Sequence, residues 1–202
     1  MKRKLLIFIT LILTLLVGCN SKVEREEYIA NVSFLTQKIT VSSATSEKII
    51  NSYSRLWLKT IENGITVEDF ADILETTTSE VNSAYSEFHN GIGLLENNTY
   101  SKVTNFNEAI IVAGKYYENT GEIKTLNTLR KDIQSLIKEL ASPPTEYESL
   151  YDELFQLYKN YESYVDLAIN PTGNLQSYTS NSQSLATEII SGVRAVNAKM
   201  PQ

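Results

Sequence analysis

Starting at Tyr28, apolar or small residues recur at Val32, Leu35, Ile39, Ser42, Ser46, Ile49, Tyr53, Leu56 and Thr60, with steps of four and three in strict alternation. A strand repeats every two residues and cannot hold this register, whereas a helix places positions three and four apart on one face. The stripe predicts one long helix with a heptad seam. Four prolines and eight glycines in 202 residues leave long uninterrupted stretches and too few turn residues for an all-β chain. Asn63-Gly64 supplies a stop, and Thr66-Val67-Glu68-Asp69 supplies a new N-cap with acids in the first turn, where the helix dipole favours them.

The pattern then repeats. A second stripe runs Val67, Phe70, Leu74, Thr77, Val81, Ala84, Phe88, Gly91, Leu95 and fades towards Asn97-Asn98. A third runs from Val103 to Tyr117 and a fourth from Leu126 to Leu140, with the heptad phase lost between them at Asn119-Thr120-Gly121. Two outcomes fit that break: Gly121 ends a helix and a hairpin follows, or one long helix is kinked there. Ser142-Pro143-Pro144 is a firm stop, and Thr145-Glu146-Tyr147-Glu148 matches a capping box. Stripes from Tyr147 to Ala168 and from Leu175 to Val196 flank Asn170-Pro171-Thr172-Gly173. Thr120-Gly121 and Thr172-Gly173 lie 52 residues apart, a weak hint of a duplicated hairpin. The expected fold is an all-α antiparallel bundle of five or six helices, occupying residues 23–202, with 23–97 and 99–200 as candidate sub-units.

The N-terminus has a different character. Lys2, Arg3 and Lys4 precede an apolar run of 13 residues, Leu5 to Val17, which suits the core of a signal peptide better than a permanent span of the ~30 Å hydrocarbon layer. The sequence Leu16-Val17-Gly18-Cys19 then resembles the lipobox of bacterial lipoproteins. That resemblance implies cleavage after Gly18 and a diacylglyceryl group on the Cys19 thiol, with residues 1–18 as signal peptide and 19–22 as a short acylated tether. Two acyl chains anchor stably where one does not. Ser21-Lys22-Val23-Glu24 has the form of a capping box, placing the first helix close to the lipid. The stretch from Pro143 to Leu185 is also similar to segments of uncharacterised small helical lipoproteins of low-GC Gram-positive bacteria, and it carries no catalytic motif.

Charge and composition exclude many functions. Removal of residues 1–18 takes away three basic residues and no acid, leaving 15 basic against 24 acidic residues, a formal net charge of −9. Nucleic acid is therefore not an expected partner, since phosphate recognition needs clustered Lys and Arg. A single Cys and a single His leave no disulfide within the chain, no CxxC motif and no ordinary zinc ligand set. The paired Glu-x-x-His of di-iron bundles, calcium-hand loops and glycine-rich phosphate loops are all missing. Carboxylates at Glu24, Glu26, Glu27, Glu68, Asp69, Asp72 and Glu75 fall mostly in first turns and on polar faces. No catalytic residue, metal ligand or cofactor is expected.

Three candidate features remain. Ser42 and Ser46, with Thr45, interrupt the first stripe. Counting back from the turn at Gly64 sets them opposite Ser83, Ser86 and Glu87, a candidate polar pocket for a modest ligand. Hydroxyls that bond back to their own helix are the plainer alternative. His89 follows Phe88 and reads as a helix-surface residue. Six of the 12 tyrosines fall between Tyr147 and Tyr178, and Tyr151 and Tyr158 lie beside the stripe as a candidate interaction face. The functional expectation is a lipoprotein held at the cell membrane through Cys19, on its extracytoplasmic side. It would act as a non-catalytic binding module for another envelope or extracellular protein. Alternatives are a small-ligand carrier or sensor with a cavity between helices, and a structural or exclusion protein of the envelope.

Overall fold

The computed structural model describes the backbone of residues 2–91 and 102–201, with side chains described for 22–91 and 102–201. Seven helices follow in the order α1 (Lys2–Glu62), α2 (Val67–Leu74), α3 (Thr78–Phe88), α4 (Phe106–Asn119), α5 (Glu122–Glu139), α6 (Glu148–Ile169) and α7 (Leu175–Lys199). The class is all-α, as the stripes predict. The seventh helix arises because the second stripe is broken: Glu75 adopts a left-handed conformation (φ 56°), and Thr77, expected in the core, is instead the N-cap of α3. Thr77 accepts from the Glu80 backbone N–H while Glu80 accepts from that of Thr77, so both orphan donors are satisfied and a new helix starts.

α1 is the axis on which all the others except α3 are aligned, and named contacts give their directions. α2 runs back along it, with Lys59 Nζ 3.1 Å from Asp69 and Ser52 Oγ donating to the Ile73 carbonyl. A pair of 2.8 Å backbone hydrogen bonds between Ile65 and Val103 returns the chain to the same end. From there Phe106 stacks on Trp57, Tyr117 meets Tyr53 edge-on, Glu122 pairs with Lys48, Asp132 pairs with Lys38, and the Leu140 carbonyl accepts from Tyr28. α4 and α5 therefore descend α1 one after the other in the same direction. Gly121 (φ 79°) ends α4 as a left-handed cap, yet no hairpin follows; the break is a kink in one antiparallel rod.

α6 ascends beside α1, from Tyr147 stacked on Tyr28 to Tyr161 bonded to Ser42. α7 descends again, from Tyr178 near Trp57 to Lys199, which pairs with Glu153. The chain thus reverses after Gly173 but not after Gly121, so the two similar turns do not mark repeated hairpins. Gly192 lets α7 approach α6 closely: a Cβ there would lie 3.2 Å from Leu157. Buried side chains of all seven helices form one cluster, centred on Leu35, Ile39, Ile49, Tyr53 and Leu56 of α1, and it spans both candidate sub-units. Burying each such aliphatic side chain contributes about 1.5 to 3 kcal/mol.

Two expected caps differ. Thr145–Tyr147 form a 3-10 turn, and α6 starts without a side-chain cap. α1 runs through Ser21 to Glu24 unbroken, because a Ser-x-x-Glu sequence caps a helix only where the residues before it are non-helical. Among the described residues no helix is long and apolar enough to cross a membrane. The acylation and cleavage expected at Cys19 and Gly18 lie outside the residues whose side chains are described.

Candidate functional site

The residues of the expected polar pocket are not brought together. Ser42 and Ser46 are fully buried in the seam of α1. Ser42 Oγ lies 2.9 Å from the Tyr161 hydroxyl of α6, and Ser46 donates to the Ser42 carbonyl one turn earlier. Ser83 and Glu87 are exposed on α3, where Ser86 donates to the Ser83 carbonyl and Glu87 accepts from the Asn119 amide. Counting back from Gly64 assumes a continuous second helix. The break at Glu75–Thr77 takes α3 off α1 and onto α4, so Ser83, Ser86 and Glu87 never face Ser42 and Ser46.

His89 caps the C-terminus of α3 and is held by two neighbours. Its ring stacks on Tyr85 with centroids 4.2 Å apart, and Nε2 lies 2.9 Å from Glu108 of α4. It thus clamps α3 to α4. Phe88, expected in the core, is 38% exposed beside it. Among the described residues no group of three or more His, Cys, Asp and Glu side chains is placed to hold a metal ion. The acidic cluster of α2 is spread out as well. Burial raises the Asp69 carboxyl, but the Thr66 N–H and hydroxyl and the Lys59 ammonium outweigh it and hold it below the usual carboxylate range, while Glu68, Asp72 and Glu75 face solvent.

The flank of α6 carries a row of rings. Tyr151 and Tyr158 are half-buried, and Phe155, which lies off the core stripe, sits between them at 41% exposure. Ring centroids are 6.0 Å apart for Tyr151 and Phe155 and 6.1 Å for Phe155 and Tyr158, with Lys159 Nζ 5.6 Å above the Phe155 ring. Positions 151, 155 and 158 follow the same four-then-three spacing as the core stripe, which is the signal that places Phe155 in the row. Burial, and then Glu162, raise the Tyr158 hydroxyl above its ordinary range, so that end of the row lies against a carboxylate.

A concave feature lies elsewhere on the bundle. A cleft of about 310 Å³ runs between α1 and α7 over Tyr164 of α6. Ser43 lines it, with its hydroxyl buried and without a hydrogen-bond partner. Such a group costs about 1 to 3 kcal/mol while it stays unpaired. No protein-family model matches the chain, and no curated protein or solved structure is similar to it.

Proposed function

We propose that this protein is a lipoprotein, anchored outside the cytoplasm by acyl chains on Cys19, that serves as a non-catalytic interaction module. Its partner is another protein of the envelope or the extracellular space, met by the aromatic flank of α6. The observation that carries the second half is Phe155: a large apolar ring left 41% exposed between two half-buried tyrosines, above a core that is already closed beneath it. A row of this kind offers wide apolar contact with polar tips and little side-chain entropy to lose on binding. The first half rests on the order of basic residues, apolar run, Gly18 and Cys19. A short tether suits it, since Tyr28, the first buried residue among those of α1 whose side chains are described, follows Cys19 by only nine positions.

The test has two arms. Mass spectrometry of membrane-extracted protein should find Cys19 acylated and N-terminal, and Cys19→Ser should release the chain from the membrane fraction; a free thiol in cytosolic protein would overturn the anchoring. For the flank, a photo-crosslinker at Phe155 in intact cells should give a discrete adduct that Tyr151→Ala abolishes. Phe155→Ala should weaken partner binding at least tenfold while shifting melting little. Melting lost with binding unchanged would give the row a packing role only.

A further inference from the structure

We propose that the cleft between α1 and α7 is a binding site for a small apolar zwitterion, an amino acid of the leucine or phenylalanine kind. Its body would lie on the Ile189–Val193 wall, and its two charges would meet Glu47 and Arg194. Phe155 and Tyr164 are nine residues apart, half a turn out of phase on α6, so this site is separate from the aromatic flank and does not depend on it.

Three observations carry the proposal. The first is Ser43. Among the buried serine and threonine hydroxyls described on α1, those of Thr36, Ser46, Ser52 and Thr60 donate to the carbonyl four residues earlier, and that of Ser42 bonds to Tyr161. Ser43, 9% exposed, is the exception with no partner, and it lines the cleft. A buried hydroxyl without a partner is satisfied by a polar atom arriving in the cleft. The second is the wall. At about 310 Å³ the cleft lies at the lower end of small-molecule pockets, and Tyr164, Ile189 and Val193 line it, with Ile190 standing 53% exposed at its mouth. An isoleucine left in water there gains by being covered.

The third observation selects the ligand's charges. Glu47 of α1 and Arg194 of α7 line the same cleft from opposite helices, and neither has an ion-pair partner among the described residues. A simple anion would meet Arg194 at the expense of repulsion from Glu47, and a simple cation the reverse. A zwitterion with an apolar side chain complements both banks and the wall together.

Titration calorimetry on the full-length protein in mild detergent decides the matter, with L-leucine and L-phenylalanine as probes. Phenethylamine, 3-phenylpropionate and decanoate serve as comparisons. The amino acids should bind saturably, and phenethylamine and 3-phenylpropionate, each missing one charge, should bind roughly three- to tenfold more weakly. Glu47→Gln should weaken phenylalanine but not phenylpropionate, Arg194→Gln should weaken phenylalanine but not phenethylamine, and Ser43→Ala should weaken all three. Both rim residues are exposed, so their variants keep the fold and remain interpretable if a cleft-filling Ala186→Phe does not fold. Absence of saturable amino-acid binding would overturn the proposal. So would tighter binding of decanoate, which would identify an anionic amphiphile site, or binding that survives a folded Ala186→Phe.

Discussion

Ser42 and Tyr161 show how one residue can interrupt a hydrophobic seam without opening a pocket. The serine hydroxyl and the phenol meet 2.9 Å apart, with both side chains fully buried, so each satisfies the other. Burial, moderated by the bond from Ser42, pushes the Tyr161 hydroxyl up to about 12. Tyr161→Phe strands the serine hydroxyl and should cost about 1 to 2 kcal/mol, and Ser42→Ala should cost a similar amount by stranding the phenol. The double variant should cost clearly less than the sum of the two, because no polar atom is then left unpaired. Denaturant unfolding of the four proteins gives the coupling; additive costs would show that the pair is not a mutual hydrogen bond. The polar interruption at Ser42 and Ser46 is plain in the sequence, but its partner is not. Tyr161 lies 119 residues away, and nothing in a heptad pattern fixes the register between helices distant in the chain. Ser43 was hidden for the opposite reason, since it falls just off the seam and looks like any serine on a helix flank.

At the scale of elements, each stripe marks helical structure among the described residues except at Val103, which bridges to Ile65, while Leu95 and Asn97-Asn98 at the end of the second stripe lie outside those residues. Thr66 and Asp69 form the capping box that their spacing announces. Thr77 and Glu80 form another, yet Thr77 also fits the apolar register of Val67, Phe70 and Leu74, and the cap won because Thr is a poor core residue and a good N-cap. The kink between α4 and α5 was legible as a break but not as a direction. Gly121 is compatible with either, and the direction follows from α5 continuing along α1 through the Lys48–Glu122 and Lys38–Asp132 pairs. This makes Gly121 a position where conformation alone is at stake, since a Cβ there would touch nothing within 4 Å while φ is +79°. Gly121→Ala should destabilise by about 1 to 2 kcal/mol, and Gly121→Asn by less, because Asn tolerates the left-handed region. Equal stability of the three proteins in thermal unfolding would mean that the linker relaxes out of its left-handed turn.

For the whole molecule the distinctive property is a core closed by tyrosines rather than by aliphatic residues alone. Tyr53, Tyr117, Tyr161 and Tyr178 are all less than 2% exposed and come from α1, α4, α6 and α7, so they join the layers of the bundle. Burial is the largest cause that raises each hydroxyl above the ordinary tyrosine range, and neighbouring phenols add to it: Tyr117 at Tyr53, Tyr116 at Tyr117, Tyr158 at Tyr161, and Tyr53, Tyr164 and Tyr117 at Tyr178. A group whose folded pKa is raised contributes its stability in full below its unfolded value, near 10, and loses it as pH climbs towards the folded value. Above pH ~10 the unfolded chain has released these protons and the native protein still holds them. Each such tyrosine then lowers stability by about 1.4 kcal/mol per pH unit, and four together by about 5. Against a typical domain stability of about 5 to 15 kcal/mol, the bundle should unfold cooperatively between about pH 11 and 13. Exposed tyrosines should ionise first, near pH ~10, and the rest in one step that coincides with loss of helical circular dichroism. A single smooth tyrosinate transition near pH ~10 with the helices intact would show that the phenols reach water, and a core open enough for that would not hold α6 and α7 in place against α1.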